Sequence, residues 1–448
     1  MNLIPLLPDT DPTAAFAYVN EQEIDRATFR AQVLTLAAAL PARERVLNMC
    51  ADRYWFAVTL FAAIARKMVT VLPNSAAPEH IAAVAAEQPG LLVLGDQAEC
   101  PVADLPYMQI NTLPPRMELA QAELPLIPFD QRVACLYTSG STGTPMPHFK
   151  TFGRLRLAIL AGAERVWGAA GQACSVVGTV PIRHMYGLES SVLLPIMAGG
   201  RMSGRIPFFP ADIASALERM PAPRLLVITP FHLRKLLDAD IRLPEIAVIL
   251  SATAPLSAEL AAQTRQQLGC PVLEIYGSTE TGQVATRETD VETTWQTLQG
   301  IALEMRDDEL WAVGEVYETP QMLNDTVELF SPQRFRLVDR KANMINVAGK
   351  RSSLSFLNNT LTSLPGVVDG MFCVPERGSG EEVERLAVFV VAPTLDRAAI
   401  LAGLRQHLDS VFLPRHVVFV DSLPRDGNGK ILARTVQALI ASHLSGRD

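Results

Sequence analysis

A short segment rich in glycine and hydroxyl side chains follows the apolar run at residues 133–137. Its sequence is TSGSTG, and glycine lets backbone N–H groups approach an anion closely while the hydroxyl groups add further donors. No Gly-Lys-Ser/Thr follows at the P-loop spacing, so a different ATP chemistry is indicated. We predict that the nucleotide phosphates bind to this loop, which comprises Thr138, Ser139, Gly140, Ser141, Thr142 and Gly143.

Four further segments carry side chains that could take part in chemistry. They are PIRHMYGLE (181–189), IYGSTETG (275–282), RKANMINVAGKR (340–351) and PRDGNGKILAR (424–434). Each alone has a structural explanation: His184 as a core histidine, Glu280 as the cap of a helix beginning after Ser278, and Lys430 as a surface lysine. Only the combination of segments favours a catalytic site.

Composition narrows the class of protein. A chain of 448 residues exceeds one ordinary core, so we expect a large domain and a smaller one. The net charge of −8 disfavours binding to nucleic acid or to an anionic membrane surface. The six cysteines are scattered without metal-ligand spacing, and no apolar stretch is long enough to span a bilayer. We therefore expect a cytoplasmic protein with no membrane partner.

The elements that would position these residues alternate between helices and apolar strands. Asp25 can cap a helix through Leu40, and a second helix surrounds residues 56–65. Strands are predicted near 46–49, 68–72, 91–94, 133–137, 175–180, 225–229, 246–251 and 272–276. Continuous apolar strands separated by helices are typical of an α/β fold with largely parallel sheets flanked by helices.

A smaller α+β domain is expected at the end of the chain. After a polar connector at residues 338–349, strands are predicted at 367–374, 386–391 and 417–420, with a helix at 397–411. We place the domains at residues 1–338 and 339–448. In the larger domain, the strands ending at Tyr137, Val180, Thr229, Ser251 and Tyr276 run into polar turns, which should line one cleft because ligands collect at such strand ends.

The five motifs occur in an order that resembles the adenylate-forming superfamily, which includes acyl-CoA synthetases, nonribosomal-peptide adenylation domains and luciferases. The resemblance covers nearly the whole chain, and five ordered matches are far more specific than any one. The segments HMYGLE, TPMPHFK and INVAGKRSSL look most like the short bacterial AMP-ligases of aryl polyene or fatty-acid-like gene clusters.

The resemblance implies roles for individual residues. The TSGSTG loop would hold the β- and γ-phosphates of ATP, Glu280 would hold Mg²⁺ with Thr142 nearby, and Lys430 would bridge the acid and the α-phosphate. The remaining nucleotide-binding residues would be Ala252, Thr253, Ala254, Tyr276, Gly277, Ser278, Thr279, Asp325, Arg340 and Arg351. The acid would be bound by His184, Gly187, Thr229 and Ser251, and His184 would also gate the thiol path.

The function implied is an ATP-dependent ligase. It would adenylate a small carboxylic acid, preferably of hydroxybenzoate or cinnamate type, and transfer it to a phosphopantetheine thiol, preferably that of an acyl carrier protein and otherwise that of CoA. A fatty acyl-CoA synthetase is one alternative. A catalytically weak binder of acyl-adenylates is another, favoured by two departures from the family pattern: Met146 replaces a lysine, whose charge Lys150 could supply, and Ala342 occupies a hinge position that is often charged. A third departure, Asn-Asp-Thr around Asp325, bears on the binding of the ribose.

Overall fold

A computed structural model describes residues 2–443 except 20, 74–77, 103, 140–144, 341–343, 348–349, 376–385, 426–430 and 432. The backbone alone is described at 78–79, 139, 145, 339–340, 344, 346, 350–351, 353, 355 and 433–434. The chain divides into two compact units. The first comprises Met1–Glu304, Trp311–Gln321 and Ser331–Arg334, and the second comprises Met305–Leu310, Met322–Phe330 and Phe335–Asp448.

Short strands and longer helices alternate through the first unit. Its strands are β1 (Leu3–Pro5), β2 (Ala15–Val19), β3 (Gln22–Asp25), β4 (Arg45–Asn48), β5 (Val69–Leu72), β6 (Leu92–Gly95), β7 (Tyr107–Gln109), β8 (Leu126–Pro128), β9 (Arg132–Ser139), β10 (Pro145–Thr151), β11 (Ser175–Gly178), β12 (Arg201–Ser203), β13 (Arg224–Ile228), β14 (Val248–Ser251), β15 (Val272–Ser278), β16 (Gly282–Glu288) and β17 (Trp295–Thr297). Its helices are α1 (Arg26–Ala39), α2 (Arg53–Ala65), α3 (Pro78–Glu87), α4 (Phe152–Ala170), α5 (Met185–Gly187), α6 (Leu194–Met197), α7 (Pro210–Glu218), α8 (Pro230–Asp238) and α9 (Ala258–Leu268). A 3₁₀ turn at Met117–Gln121 and a π turn at Leu188–Leu193 complete it.

Two sheets organise the first unit. Six strands pair in the order β10-β9-β5-β4-β6-β7, in which only β10 runs antiparallel to its neighbour. Nine others pair in the order β17-β16-β15-β14-β13-β11-β12-β2-β3, and the five pairings between β15 and β2 are parallel. Parallel strands need cover on both faces, which explains their continuous apolar sequences. The predicted α/β fold with largely parallel sheets is confirmed.

Helix α2 joins the two sheets. It is apolar on nearly every side and almost completely buried, as expected for a helix packed inside a large core. Its first residue, Arg53, is fully buried and donates to the carbonyl oxygens of Ser203, Arg205 and Gly178 at 2.6–2.7 Å. Because these carbonyls belong to β11, β12 and the loop after β12, one guanidinium ties α2 to the larger sheet.

The second unit has its own apolar core. Its elements are β21 (Asp325–Ser331), β22 (Arg334–Arg340), β23 (Met344–Val347), β24 (Lys350–Ser353), α10 (Leu354–Thr362), β25 (Asp369–Cys373), β26 (Ala387–Val391), α11 (Arg397–His407), β27 (His416–Phe419) and α12 (Ala433–His443), with a 3₁₀ turn at Ser410–Phe412. Strands β18 (Ile301–Arg306), β19 (Glu309–Gly314) and β20 (Gln321–Leu323) lie where the chain passes between units. The strands β25, β26 and β27 form a three-stranded sheet. The domain boundary at 338/339 stays a prediction.

Several local predictions are confirmed and several are wrong. Asp25 caps α1 by accepting from the Thr28 N–H at 2.7 Å, as expected. The helix predicted to reach Val411 ends at His407, because Leu408 is extended and Asp409 begins a separate turn. The polar connector predicted at 338–349 is wrong, since β22 continues to Arg340 and β23 follows. The segment after the glycine-rich loop is strand β10, which was not predicted.

The cap of α2 should make stability depend on pH. Burial raises the pKa of Asp52 to about 6, although its hydrogen bonds to the Trp55 and Tyr54 N–H groups oppose the rise. The unfolded value is about 3.9, so the folded state holds the proton more tightly, and this contribution to stability is lost as the pH rises from about 4 to about 6. We expect Asp52→Asn to remove that part of the pH dependence of the free energy of unfolding, as measured by urea denaturation at pH 4–8. An unchanged pH profile would contradict this assignment.

Candidate active site

The glycine-rich loop connects two antiparallel strands. Strands β9 and β10 pair with Thr138 opposite Met146 and Leu136 opposite His148. The Thr138 hydroxyl lies 3.0 Å from Nε2 of His148. Gly140, Ser141, Thr142 and Gly143 lie outside the described residues, and of Ser139 only the backbone is described. The structure therefore fixes both flanks of the predicted phosphate loop, and its binding role stays a prediction.

A tight turn between β15 and β16 carries Glu280. The Thr281 hydroxyl accepts a hydrogen bond from the Ser278 N–H at 3.0 Å, and the Ser278 hydroxyl accepts one from the Thr281 N–H at 3.2 Å. Gly282 has φ +70°, and a Cβ there would lie 2.7 Å from Oε1 of Glu189, so glycine is required. The alternative that Glu280 caps a helix is wrong, because strand β16 begins two residues later.

Two basic side chains of β10 contact this turn. Nζ of Lys150 donates to the backbone carbonyl oxygen of Glu280 at 2.7 Å. Nε2 of His148 lies 3.6 Å from Oε1 of the same residue. Since alternate residues of a strand share a face, one edge strand presents both groups to the turn. Thr138, at the described flank of the predicted phosphate loop, and the Glu280 carboxylate thereby lie on either side of His148.

The charges of this cluster follow from burial and proximity. Burial raises the pKa of Glu280, but hydrogen bonding with Ser278 and the nearby His148 and Lys150 outweigh burial, so the pKa lies below its usual value. Burial lowers the pKa of His148, which the Glu280 carboxylate offsets only in part. At pH 7 we therefore expect an ionised Glu280 beside a largely neutral His148. Burial also lowers the pKa of Lys150, and Glu189 opposes that shift.

The segment containing His184 is tied to two neighbouring strand ends. The hydroxyl of Tyr186 lies 2.7 Å from the carbonyl oxygen of Leu250 and 3.1 Å from that of Ile228. The residues directly after those carbonyls are Ser251 and Thr229. Three of the predicted acid-binding segments therefore meet, as the shared edge of parallel strands suggests.

The hydroxyls of Thr229 and Ser251 have different surroundings. Thr229 Oγ1 accepts from the His232 N–H at 3.3 Å, caps α8 and lies 2.8 Å from Nδ1 of His232. Ser251 is completely buried, and its Oγ has no hydrogen-bond partner among the described residues. Of the two hydroxyls, only that of Thr229 has a partner among the described residues, and that of Ser251 is enclosed by protein. His184 itself is partly buried just before α5, and Gly187 ends that helix.

Backbone strain marks the segment after β14. Thr253 has φ +80°, a left-handed conformation that is unfavourable for a β-branched residue. It lies between Ala252, which is buried, and Ala254, which is exposed. Such strain persists where the surroundings impose it, most often at functional sites. Tyr276, on the neighbouring strand, is buried with its ring 5.7 Å from that of Trp295.

The remaining predicted residues lie mainly in the second unit. Asp325 begins β21 and is partly buried. Arg340 ends β22 and Arg351 lies in β24, with only their backbones described. Lys430 and Ala342 lie outside the described residues. Their assignment to the site stays a prediction.

The described residues could bind a magnesium ion only if phosphate oxygens of the nucleotide were also ligands. Within the described ranges, no group of three or more His, Cys, Asp or Glu side chains could hold a metal. Mg²⁺ is commonly held by one or two carboxylates together with substrate phosphates. Glu280 fits that pattern, because its carboxylate is 43% exposed and ionised.

Comparison with known proteins identifies the family. The model of the AMP-binding enzymes matches residues 11–315, and that of their C-terminal domain matches residues 357–430. The 4-coumarate–CoA ligase of Cereibacter sphaeroides is 29% identical over 298 residues, covering 66% of this chain and 69% of that protein. The corresponding ligase of Halorhodospira halophila is 28% identical over 312 residues, covering 66% and 73%.

Solved structures share the fold across the whole chain. MatB of Rhodopseudomonas palustris with bound ATP superposes with a TM-score of 0.76 at 19% identity, covering 97% of each chain. The o-succinylbenzoate CoA synthetase of Bacillus subtilis with its acyl-adenylate superposes with a TM-score of 0.78 at 19% identity, covering 95% of this chain and 96% of that one. This chain therefore belongs to the AMP-binding enzyme family of the adenylate-forming superfamily and is an AMP-forming acid–thiol ligase that uses ATP. No helix in the described part of the chain has the length and apolar character needed to cross a membrane.

The strain at Thr253 can be tested by substitution. Glycine adopts positive φ freely, so relief of strain of about 1–3 kcal/mol should outweigh the added chain entropy of about 0.5–1 kcal/mol. We expect Thr253→Gly to be at least as stable as wild type in urea, whereas the matched Ala254→Gly variant loses about 0.5–1 kcal/mol. If both variants lose stability equally, the strain does not exist.

Proposed function

We propose that this enzyme activates an aromatic carboxylic acid, of hydroxybenzoate or cinnamate type, as its acyl-adenylate. It then transfers the acyl group to a phosphopantetheine thiol, preferably that of an acyl carrier protein. ATP use and the acid–thiol ligase class follow from the family. The family leaves the acid and the acceptor open.

One observation carries the reaction type: strand β10 joins the predicted phosphate loop to the turn that carries Glu280. Lys150 contacts the Glu280 carbonyl, and His148 lies between Thr138 and the Glu280 carboxylate. An anion-binding loop beside an ionised carboxylate is the arrangement that a metal–nucleotide complex needs. In the first step, an oxygen of the acid attacks the α-phosphorus, and the bond to pyrophosphate breaks.

Each predicted residue has a part in this step. The residues at 138–143 bind the β- and γ-phosphates, and Tyr276 packs against the adenine. Lys430 bridges the acid and the α-phosphate, which reduces the repulsion between two anions along the line of attack. Asp325 and Arg340 bind the ribose hydroxyls, and Arg351 lies near the phosphates. Mg²⁺, held by Glu280 and Thr142, would offset the charge that develops on the leaving pyrophosphate.

In the second step, the thiol sulfur attacks the acyl carbon, and the bond to AMP breaks. His184, which precedes the helix tied down by Tyr186, borders the path that the thiol would follow. An aromatic acid would lie against His184, Gly187, Thr229 and Ser251, none of which is an acidic residue, a lysine or an arginine. The relatives named as 4-coumarate–CoA ligases support the aromatic choice.

A mass measurement tests acid and acceptor together. A phosphopantetheinylated carrier protein is incubated with the enzyme, ATP, Mg²⁺ and an equimolar mixture of hydroxybenzoic, cinnamic and fatty acids, and CoA is offered in a parallel sample. We expect the carrier protein to gain the mass of a single aromatic acyl group. Loading confined to fatty acids would contradict the proposed aromatic substrate. Loading of CoA alone would contradict the proposed carrier-protein acceptor. Absence of acid-dependent ATP–pyrophosphate exchange across the panel would favour the weak binder.

The proposal that Lys430 acts in adenylation and not in thioester formation is tested by substituting this residue. Because the lysine acts on the attacking carboxylate, Lys430→Ala should lose adenylation by at least about a hundredfold. Thioester formation from supplied acyl-adenylate should change little. The exposed Lys235, substituted by alanine, serves as the matched control. Equal loss of both half-reactions in the Lys430 variant would refute the assignment.

A further inference from the structure

Two groups of opposite charge contact the turn that carries Glu280. Lys150 donates to the carbonyl oxygen of Glu280 in the middle of the turn. Glu189 lies against Gly282 at its end, and the backbone and side chain of Gln283 hydrogen-bond to the Glu189 carboxyl. Burial raises the pKa of Glu189 to about 7, and the positive charge of Lys150 opposes that rise. We call these two residues the turn-flanking pair.

Burying this pair is unfavourable for the free energy of folding. Glu189 is only 1% exposed, and its Oε1 has no hydrogen-bond partner within the described ranges. Removing a charge from water is favourable only when a partner and further hydrogen bonds compensate for it. Apolar side chains in both places would leave the Glu280 carbonyl and the polar groups of Gln283 without these partners. The groups that the pair satisfies therefore all belong to the turn that carries Glu280 or to the residue directly after it.

Both members come from elements held firmly by other contacts. Lys150 lies in β10, paired with Ala134 of β9. Glu189 lies in the π turn at residues 188–193, a rare local structure that is frequent at functional sites. A side chain on a well-packed element holds its target more accurately than one on a loop.

We propose that Lys150 and Glu189 are positioning residues, which fix the turn at residues 278–282 so that the Glu280 carboxylate stays beside His148 and Thr138. Lys150 fixes the backbone through the Glu280 carbonyl, and Glu189 neutralises Lys150 and closes the end of the turn at Gly282. The inference rests on the proposed function only for what Glu280 does. The geometry of the turn can be measured without any substrate.

Amide hydrogen exchange of residues 276–284, followed in the free enzyme by mass spectrometry, tests the proposal. The variants are Lys150→Met, Glu189→Gln and the double variant, with Arg265→Met as control because Arg265 pairs with Glu288 and Asp290 at the far end of β16. Losing a hydrogen bond from a charged donor should speed exchange in the turn by about tenfold to a hundredfold. Arg265→Met should leave exchange in the turn unchanged.

The double variant separates positioning from simple stabilisation. Lys150→Met alone leaves the buried Glu189 without the cation that favours its ionised form and should lower resistance to urea at pH 8, whereas the double variant removes both charges and should regain most of it. We expect fast exchange of the turn and a reduced kcat for adenylation to persist in the double variant. Restoration of slow exchange or of kcat together with stability would overturn the proposal. If the wild-type enzyme were inactive toward every acid, the proposed function would be contradicted. The exchange measurement would still test the positioning role, because it needs no substrate.

Discussion

Carbonyl groups at the carboxyl ends of the parallel strands impose the constraint on which the first unit depends. Each sheet ends where its backbone acceptors lose their partners, and a buried acceptor must find a donor elsewhere. In this protein, side chains provide those donors: Arg53 for Gly178, and Tyr186 for Ile228 and Leu250. Lys150 donates in the same way to the carbonyl of Glu280, which lies in the turn after β15. Each of these donors comes from another segment. Satisfying the strand ends therefore also assembles the site.

The alternation of apolar strands and helices could be predicted from the sequence, because burial on both faces leaves continuous runs of Val, Ile and Leu. Strand β10 could not be predicted in this way. Pro145 and Pro147 and the charged Lys150 are typical of a loop, and a strand tolerates them here only because β10 is the edge of its sheet. The glycine-rich segment was correctly placed after a strand, but its antiparallel return was missed.

The motif residues could be predicted because their types and their order along the chain form a pattern. The residues that hold the motifs in place, such as Lys150 and Glu189, form no such pattern. Lys150 and Glu280 are 130 positions apart, and the acceptor is a backbone carbonyl, which every residue possesses. Glu189 follows an apolar helical segment and gives no sign that its carboxylate is buried. The only local signal was the spacing of His148 and Lys150, two basic residues on one face of a strand, and this spacing has meaning only once the strand is known.

Buried charges in this unit fall into two kinds, which differ in what their hydrogen bonds hold. Arg53 satisfies three carbonyls that belong to two strands and a loop of the larger sheet, so an apolar side chain in its place would leave those acceptors without donors. Lys150 and Glu189 instead satisfy groups in or directly after one turn: the carbonyl of Glu280, and the backbone and side chain of Gln283. Burying Glu189 is unfavourable in itself, since its Oε1 lacks a partner among the residues described. The groups that Lys150 and Glu189 satisfy therefore tie them to the placement of the backbone around Glu280 rather than to the packing of the sheet.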